Sequence, residues 1–375
     1  MKKYIFKVCS VVISLLFLFS CFVGCDDGQD DDFIAQDIKS LILIIGDGMG
    51  LNHIKAGELY EGKNYSFTQW HQTTVNTDSI DALGDLVLTD SAAGGTAIAT
   101  GSLTINGYVG KDANGKDLKT IMDYAIEKGK STGIVTTDYL YGATPSAFSA
   151  HSTNRNKSAE LVNSQIQTSN INLLCGNYDS TYCAINQTVI EQQGYSYCDD
   201  YSWIEDTKGK DKAYWMFDLA GKEATIALED VAIHALDFLE YDTDGFVLMI
   251  EQAHIDKYSH SNDFRGTLNS VVSLNKTVEA VMGWIGERND IAVAITADHE
   301  TGGLVVSDNE IEFSESISTL NNKKLYYYYQ TGNHTQMPVG LFLYGIKPDF
   351  SKFETYKSTD IIKNIETNKI LTTIF

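Results

Sequence analysis

Five short, unbroken apolar runs constrain this chain more than any other feature. They lie at residues 41–45, 133–136, 246–250, 291–297 and 339–344. A strand with one wet face alternates polar and apolar residues, whereas one covered on both faces reads as a continuous hydrophobic stretch. The runs therefore predict buried parallel strands. Stretches with helical spacing separate them at 119–128, 224–239 and 268–285, the last carrying Val271, Leu274, Val278, Val281 and Ile285 on one stripe. Strands alternating with helices define an α/β fold. We expect a three-layer α/β/α sandwich around a large, mostly parallel central sheet, in one domain from about residue 38 to 375.

The residues that terminate these strands are as informative as the strands. The first run leads into Gly46 and Asp47, the third into Glu251, and the fourth into Asp298 and His299. In open α/β sheets, ligands bind beyond the carboxyl ends of the strands. Any one of these acids could cap a helix or face water. Three of them at one rim repel one another strongly unless cations lie between them. The pattern therefore predicts a site for several metal ions. Asp256 and His260 are four residues apart, so one helical turn puts both on one face, and His334 precedes the last apolar run. Carboxylate plus imidazole suits zinc, and oxygen-only ligands suit magnesium.

A candidate nucleophile is Ser91, in Thr-Asp-Ser-Ala-Ala-Gly-Gly-Thr-Ala. The small residues after it open a helix, whose free amides and dipole favour an anion at the serine. A serine hydroxyl needs a base or a metal to attack. No Ser/His/Asp order is evident, so metal activation fits better. Taken alone, the same segment would also suit a plain N-cap serine.

The formal charge of −22 argues against a nucleic acid as main partner, since phosphate backbones are held by clustered Lys and Arg. Residues 1–24 read as a lipoprotein-type export signal: Lys2 and Lys3 precede a 16-residue apolar stretch at 8–23, short of the roughly 20 residues that a membrane-spanning helix needs. Cys25 is the favoured lipid acceptor, with Cys21 and unlipidated cleavage as alternatives. Residues 25–37 then form an acidic tether, and the protein is expected to be exported and lipid-anchored to a membrane, facing the periplasm or the cell surface. Cys175, Cys183 and Cys198 read as structural, with one disulfide and a spare thiol open and no pairing legible.

Together these residues carry a resemblance. Ile44-Ile45-Gly46-Asp47-Gly48-Met49-Gly50, Thr89-Asp90-Ser91-Ala92, Ala143-Thr144-Pro145 with Arg155 downstream, Glu251 through Asp256-Lys257 to His260, Ala297-Asp298-His299-Glu300 and His334-Thr335 resemble the bacterial alkaline phosphatase family, in its order and at compatible spacings, from about residue 40 onward. The resemblance implies two zinc ions and one magnesium. The first zinc would take Asp256, His260 and His334. The second would take Asp47, Asp298, His299 and the exchangeable Ser91 oxygen, and magnesium would take Asp47, Thr144 and Glu251. Arg155 would grip two phosphate oxygens as a fork. The implied reaction is hydrolysis of small phosphate monoesters to inorganic phosphate through a phosphoserine on Ser91. A diesterase or sulfatase of the same superfamily, and a non-catalytic metal-binding lipoprotein, are the alternatives. Many relatives are homodimers.

Gly142 departs from a well-known bacterial form of the pattern, which has an acid before Ala-Thr-Pro that supports magnesium-bound water and pairs with the lysine matching Lys257. Its absence predicts weaker magnesium binding. Residues 304–330 fall where the family carries a crown-like insertion, here short, and 326–329 would form a substrate rim, an interface or a half-exposed strand. The Gly46–Gly50 loop fails the dinucleotide-binding spacing. His53, His71, His234 and His254 read as structural or surface residues, and His151 as core packing or support for Arg155.

Overall fold

The computed structural model describes residues 38–220, 224–346 and 357–361. The export segment, Cys21, Cys25 and the acidic tether lie outside the described residues.

Nine strands form the central sheet: β1 (Ser40–Gly46), β2 (His71–Val75), β3 (Ser131–Thr136), β4 (Leu173–Asn177), β5 (Ser196–Cys198), β6 (Ala213–Phe217), β7 (Phe246–Gln252), β8 (Ile291–Thr296) and β9 (Val339–Tyr344). Their order is β2-β9-β8-β1-β7-β3-β4-β6-β5. Every residue of β1, β7 and β8 is buried, so both faces of the sheet centre are covered, as the unbroken apolar runs require. Six successive neighbour pairs, from β8-β1 through β6-β5, run parallel. One expectation is corrected: β9 runs antiparallel to β8 and to β2. An unbroken apolar run reports burial on both faces and carries no information about strand direction.

The helices used below are α1 (Leu51–Glu61), α2 (Ser91–Thr100), α3 (Ile121–Glu127), α4 (Ala143–Ser149), α5 (Leu228–Leu239), α6 (His254–His260) and α7 (Phe264–Ile285). In α7, Val271, Leu274, Val278, Val281 and Ile285 are all buried, so the stripe read from the sequence is the face turned to the core. Asp263 caps this helix, its carboxylate accepting from the Gly266 amide. Among the described residues no helix is long and apolar enough to cross a membrane.

Residues 304–330 contain a separate three-stranded antiparallel sheet made of Leu304–Ser307, Glu315–Ser318 and Lys324–Tyr329, with the last in the middle. The 326–329 tyrosines are half-buried strand residues, and Tyr327 stacks on Phe264 with ring centroids 3.8 Å apart. Cys175, Cys183 and Cys198 are buried free thiols. Burial pushes the Cys183 thiol up to about 12 and that of Cys198 to about 11, which keeps both protonated and unreactive.

Strand register sets the site. Ile45 lies level with Thr296 on one neighbour and with Glu251 on the other, and Glu251 is level with Thr136 on β3. Asp47 and Asp298 each stand two residues beyond that row. Four adjacent strands thus bring their carboxyl ends, and these acids, to one rim.

Candidate active site

Asp90, not Ser91, is the N-cap of α2. Its extended backbone (φ −105°, ψ 170°) and its carboxylate, which accepts from the Ala93 amide at 2.9 Å, do the capping. The Ser91 hydroxyl is therefore not used as a cap, which removes the plain N-cap alternative. It lies 3.1 Å from His299 Nε2. The small residues after it have a packing reason: a Cβ on Gly94 would stand 2.7 Å from the Asp298 carbonyl oxygen. Only a slim helix can bring Ser91 this close to the end of β8.

His299 Nε2 is the centre of one cluster. Ser91 Oγ lies 3.1 Å from it, Asp298 Oδ2 3.3 Å and Asp47 Oδ1 3.6 Å. Asp298 Oδ1 accepts from the Gly48 and His299 amides at 3.1 and 3.0 Å. Its Oδ2, Asp47 Oδ1 and the Thr144 hydroxyl, in contrast, are buried with no hydrogen-bond partner. Orphaned buried acceptors are costly. Asp298 Oδ2 and Asp47 Oδ1, which meet at His299, fit a site built to meet cations.

A second cluster centres on Asp256 Oδ1, which lies 3.3 Å from His260 Nε2 and 3.6 Å from His334 Nε2, with the two imidazole nitrogens 3.1 Å apart. The α6 helix puts Asp256 and His260 one turn apart, as their spacing predicts. The other imidazole nitrogens are held by backbone: His260 Nδ1 is 2.7 Å from the Gly332 carbonyl and His334 Nδ1 is 2.9 Å from that of Thr89. Those carbonyls fix the tautomers that leave Nε2 free for a metal. Asp256, His260 and His334 gather ligand atoms within 4.8 Å of one another, as do Asp47, Asp256 and His299, so the two clusters are adjacent. A tetrahedral zinc with bonds of about 2.0–2.2 Å separates its ligand atoms by about 3.3–3.6 Å. The donor sets fit zinc in both type and spacing.

Glu251 is buried, and its Oε2 accepts from the Thr136 hydroxyl. Burial, then the charge of Asp138, pushes its carboxyl up to about 8. Burial, Asp298 and Asp256 likewise hold Asp47 well above the usual carboxylate range. In Asp256, burial is outweighed by the neighbouring imidazoles of His334, His299 and His260 and by the hydrogen bond from Thr301, and its carboxyl sits well below that range.

These shifts set the pH response of metal-free protein. The folded state keeps protons on Asp47 and Glu251 that the unfolded chain has already released, so stability falls as pH rises from the ordinary carboxylate range through about 8. Buried His53 and His299 and half-buried His254, with lowered values, give the opposite slope below about pH 7. The clean window is therefore pH 7 to 8. Thermal melts of chelated protein are expected to show a falling Tm across it, and metal-loaded protein no such fall. A flat or rising Tm in the chelated protein contradicts this.

Arg155 Nη1 donates to Asp90 Oδ2 at 3.1 Å, and the Gly107 amide donates to the same oxygen at 3.0 Å. The guanidinium is thereby tied to the residue beside Ser91. His151 Nε2 is bonded at 2.9 Å to the Leu118 carbonyl, which makes it a packing residue. Two contributors stand outside the ligand set expected from the sequence. The Thr301 hydroxyl donates to Asp256 Oδ1 at 2.5 Å and lies 3.2 Å from His299 Nδ1, bracing both clusters. Its one signal is its position two residues after His299. The other is Asp138, whose carboxylate accepts from the Lys257 ammonium.

A doubly covered α/β sheet thus brings a serine and two ligand clusters together at its carboxyl rim. The alkaline phosphatase family model matches residues 38–192 and 190–363, and the chain belongs to that family. Alkaline phosphatase 4 of Bacillus subtilis is 31% identical over 315 residues, which is 77% of this chain and 68% of that protein. Alkaline phosphatase 3 of the same organism is 31% identical over 75% of this chain and 66% of its own length. The chain thus spans about two thirds of these relatives. Among solved structures, the alkaline phosphatase of the Antarctic bacterium TAB5 shares the fold, with a TM-score of 0.76 at 22% identity over 90% of this chain and 98% of that one. A variant of that enzyme was solved with Mg bound in the M3 site.

Proposed function

We propose that this protein hydrolyses phosphate monoesters through a phosphoserine on Ser91, with two zinc ions and one magnesium. Asp256, His260 and His334 would hold the first zinc. Asp47, Asp298, His299 and Ser91 Oγ would hold the second, and Asp47, Thr144 and Glu251 the magnesium. When bound, these ions supply Lewis-acid stabilisation of the attacking and leaving oxygens. The observation that carries this reading is the convergence of Ser91 Oγ, Asp298 Oδ2 and Asp47 Oδ1 on His299 Nε2 at 3.1–3.6 Å, with both carboxylate oxygens otherwise unpartnered.

Ser91 Oγ attacks phosphorus, so that the Oγ–P bond forms as the ester P–O bond breaks and the alcohol leaves. Water then cleaves Oγ–P, releasing inorganic phosphate and restoring the serine. Arg155, anchored on Asp90, presents its remaining N–H groups to the non-bridging oxygens, and the N-terminus of α2 adds its amides and dipole. Phosphoryl transfer is mostly positioning and charge stabilisation, and this chain supplies both from rigid strand ends.

The test is a panel of chromogenic phosphate monoester, phosphate diester and sulfate ester assayed with zinc and magnesium. The monoester is expected to be turned over far faster than the others. Preference for diester or sulfate would favour the superfamily alternative, and no turnover at all would favour a metal-binding role alone. We also propose that residues 1–24 direct export and that Cys25 carries a lipid. Fatty-acid labelling should then vanish in Cys25→Ser, and labelling that persists there would shift the anchor to Cys21.

A further inference from the structure

The magnesium side of the rim contains a fourth carboxylate. Asp138 lies two residues past Thr136, and Thr136 is level with Glu251. Asp138 therefore stands at the height that Asp47 and Asp298 occupy on their own strands. Three observations join it to the site. Its Oδ1 accepts from the ammonium of Lys257, the residue next to Asp256 on α6, and from the Tyr139 amide at 2.8 Å. Its own amide donates at 2.8 Å to the Thr136 hydroxyl, which in turn donates to Glu251 Oε2. A Cβ built on Gly142 would stand 2.7 Å from Asp138 Oδ2 and 2.9 Å from the Tyr139 carbonyl.

The last contact explains the glycine. Residue 142 precedes α4, and two residues on, α4 carries the buried, unpartnered Thr144 hydroxyl. The space a side chain at 142 would enter is filled by the Asp138 carboxylate and the Tyr139 carbonyl. Among the described residues Asp138 Oδ2 accepts no hydrogen bond, and the side chain is 19% exposed, so one oxygen holds Lys257 while the other is left for a partner. We infer that Asp138 is a positioning residue for the magnesium site, supplying from the end of β3 the carboxylate that position 142 lacks and holding Lys257 at the rim. A half-buried carboxylate of this kind suits magnesium, which keeps several waters and is oriented through them. This rests on the three-metal reading above. The weak magnesium binding expected from Gly142 alone gives way to retained magnesium.

The test measures magnesium affinity by titration of zinc-loaded protein, with zinc content and melting temperature recorded for each variant. Asp138→Ala and Asp138→Asn are expected to bind magnesium about 10–100-fold more weakly than the parent, the usual cost of losing an outer-shell partner, with zinc content unchanged. Asp138→Glu, which keeps a carboxylate at the end of β3, is expected to retain more magnesium affinity than Asp138→Ala. Affinity within threefold of the parent in both Asp138→Ala and Asp138→Asn, or zinc lost in step with magnesium, would overturn the inference. So would Asp138→Glu binding magnesium no better than Asp138→Ala. If the parent protein binds no magnesium, the three-metal reading fails first; if the parent binds it and the single variants bind it equally, only the role of Asp138 fails.

Discussion

Ser91→Ala is expected to lower monoester turnover by at least about three orders of magnitude, the scale on which activated nucleophiles contribute, while leaving bound zinc almost unchanged. The reasoning is geometric. Ser91 Oγ is one of four atoms in the His299 cluster, and the other three, from Asp47, Asp298 and His299, are placed by strand ends that do not depend on the serine. Because Asp90 caps α2, the substitution does not remove the cap, and alanine is the best helix former. Melting temperature should therefore barely move. Measured turnover within tenfold of the parent would refute the nucleophile assignment. A large loss of zinc or of stability would mean that the serine is structural.

Chelation is expected to have an equally large effect by a different route. Stripping the metals should take turnover to background, and adding back zinc and magnesium should restore it. The metal-free rim leaves Asp47 Oδ1 and Asp298 Oδ2 buried without partners. Burial, together with like charges at this spacing, forces protons onto Asp47 and Glu251. Removal of the ions should therefore also lower the melting temperature, most at alkaline pH where those protons are lost. Turnover that survives complete chelation would leave the Ser91–His299 contact as an ordinary hydrogen bond and would require a metal-independent mechanism.

Most of the site is legible in the sequence because strand, level and charge are correlated. A run covered on both faces must end where the sheet ends, so an acid just after it is carried to the rim. That logic finds Asp47, Glu251 and Asp298. Extended to the run at 133–136, it also reaches Asp138, which stands at the same height but comes after Thr137 instead of adjoining the apolar residues. Asp256 and His260 are legible from helical spacing. Thr301 is not, because a hydroxyl acquires its role only when folding brings it between Asp256 and His299.

The edges of the sheet are harder to read. The β2 sequence His-Gln-Thr-Thr-Val has one buried residue in five, so it lacks an apolar signal, and β4 offers only Leu-Leu-Cys before Gly176 and Asn177, whereas β6, Ala-Tyr-Trp-Met-Phe, is an unbroken buried run with the same signal as the central strands. The direction of β9 depends on which neighbour it joins, and apolar patterning cannot specify that. The capping residue of α2 is ambiguous by one position in the sequence because Asp and Ser are both good caps. The backbone decides between them: Asp90 is extended, while Ser91 is already helical.

The account depends on divalent ions making a crowded rim of acids tolerable and activating the serine oxygen among them. Elemental analysis of the purified, active protein tests that directly. It should find close to two zinc and one magnesium per chain, whereas fully active protein without stoichiometric zinc or another transition metal would contradict the account at its root.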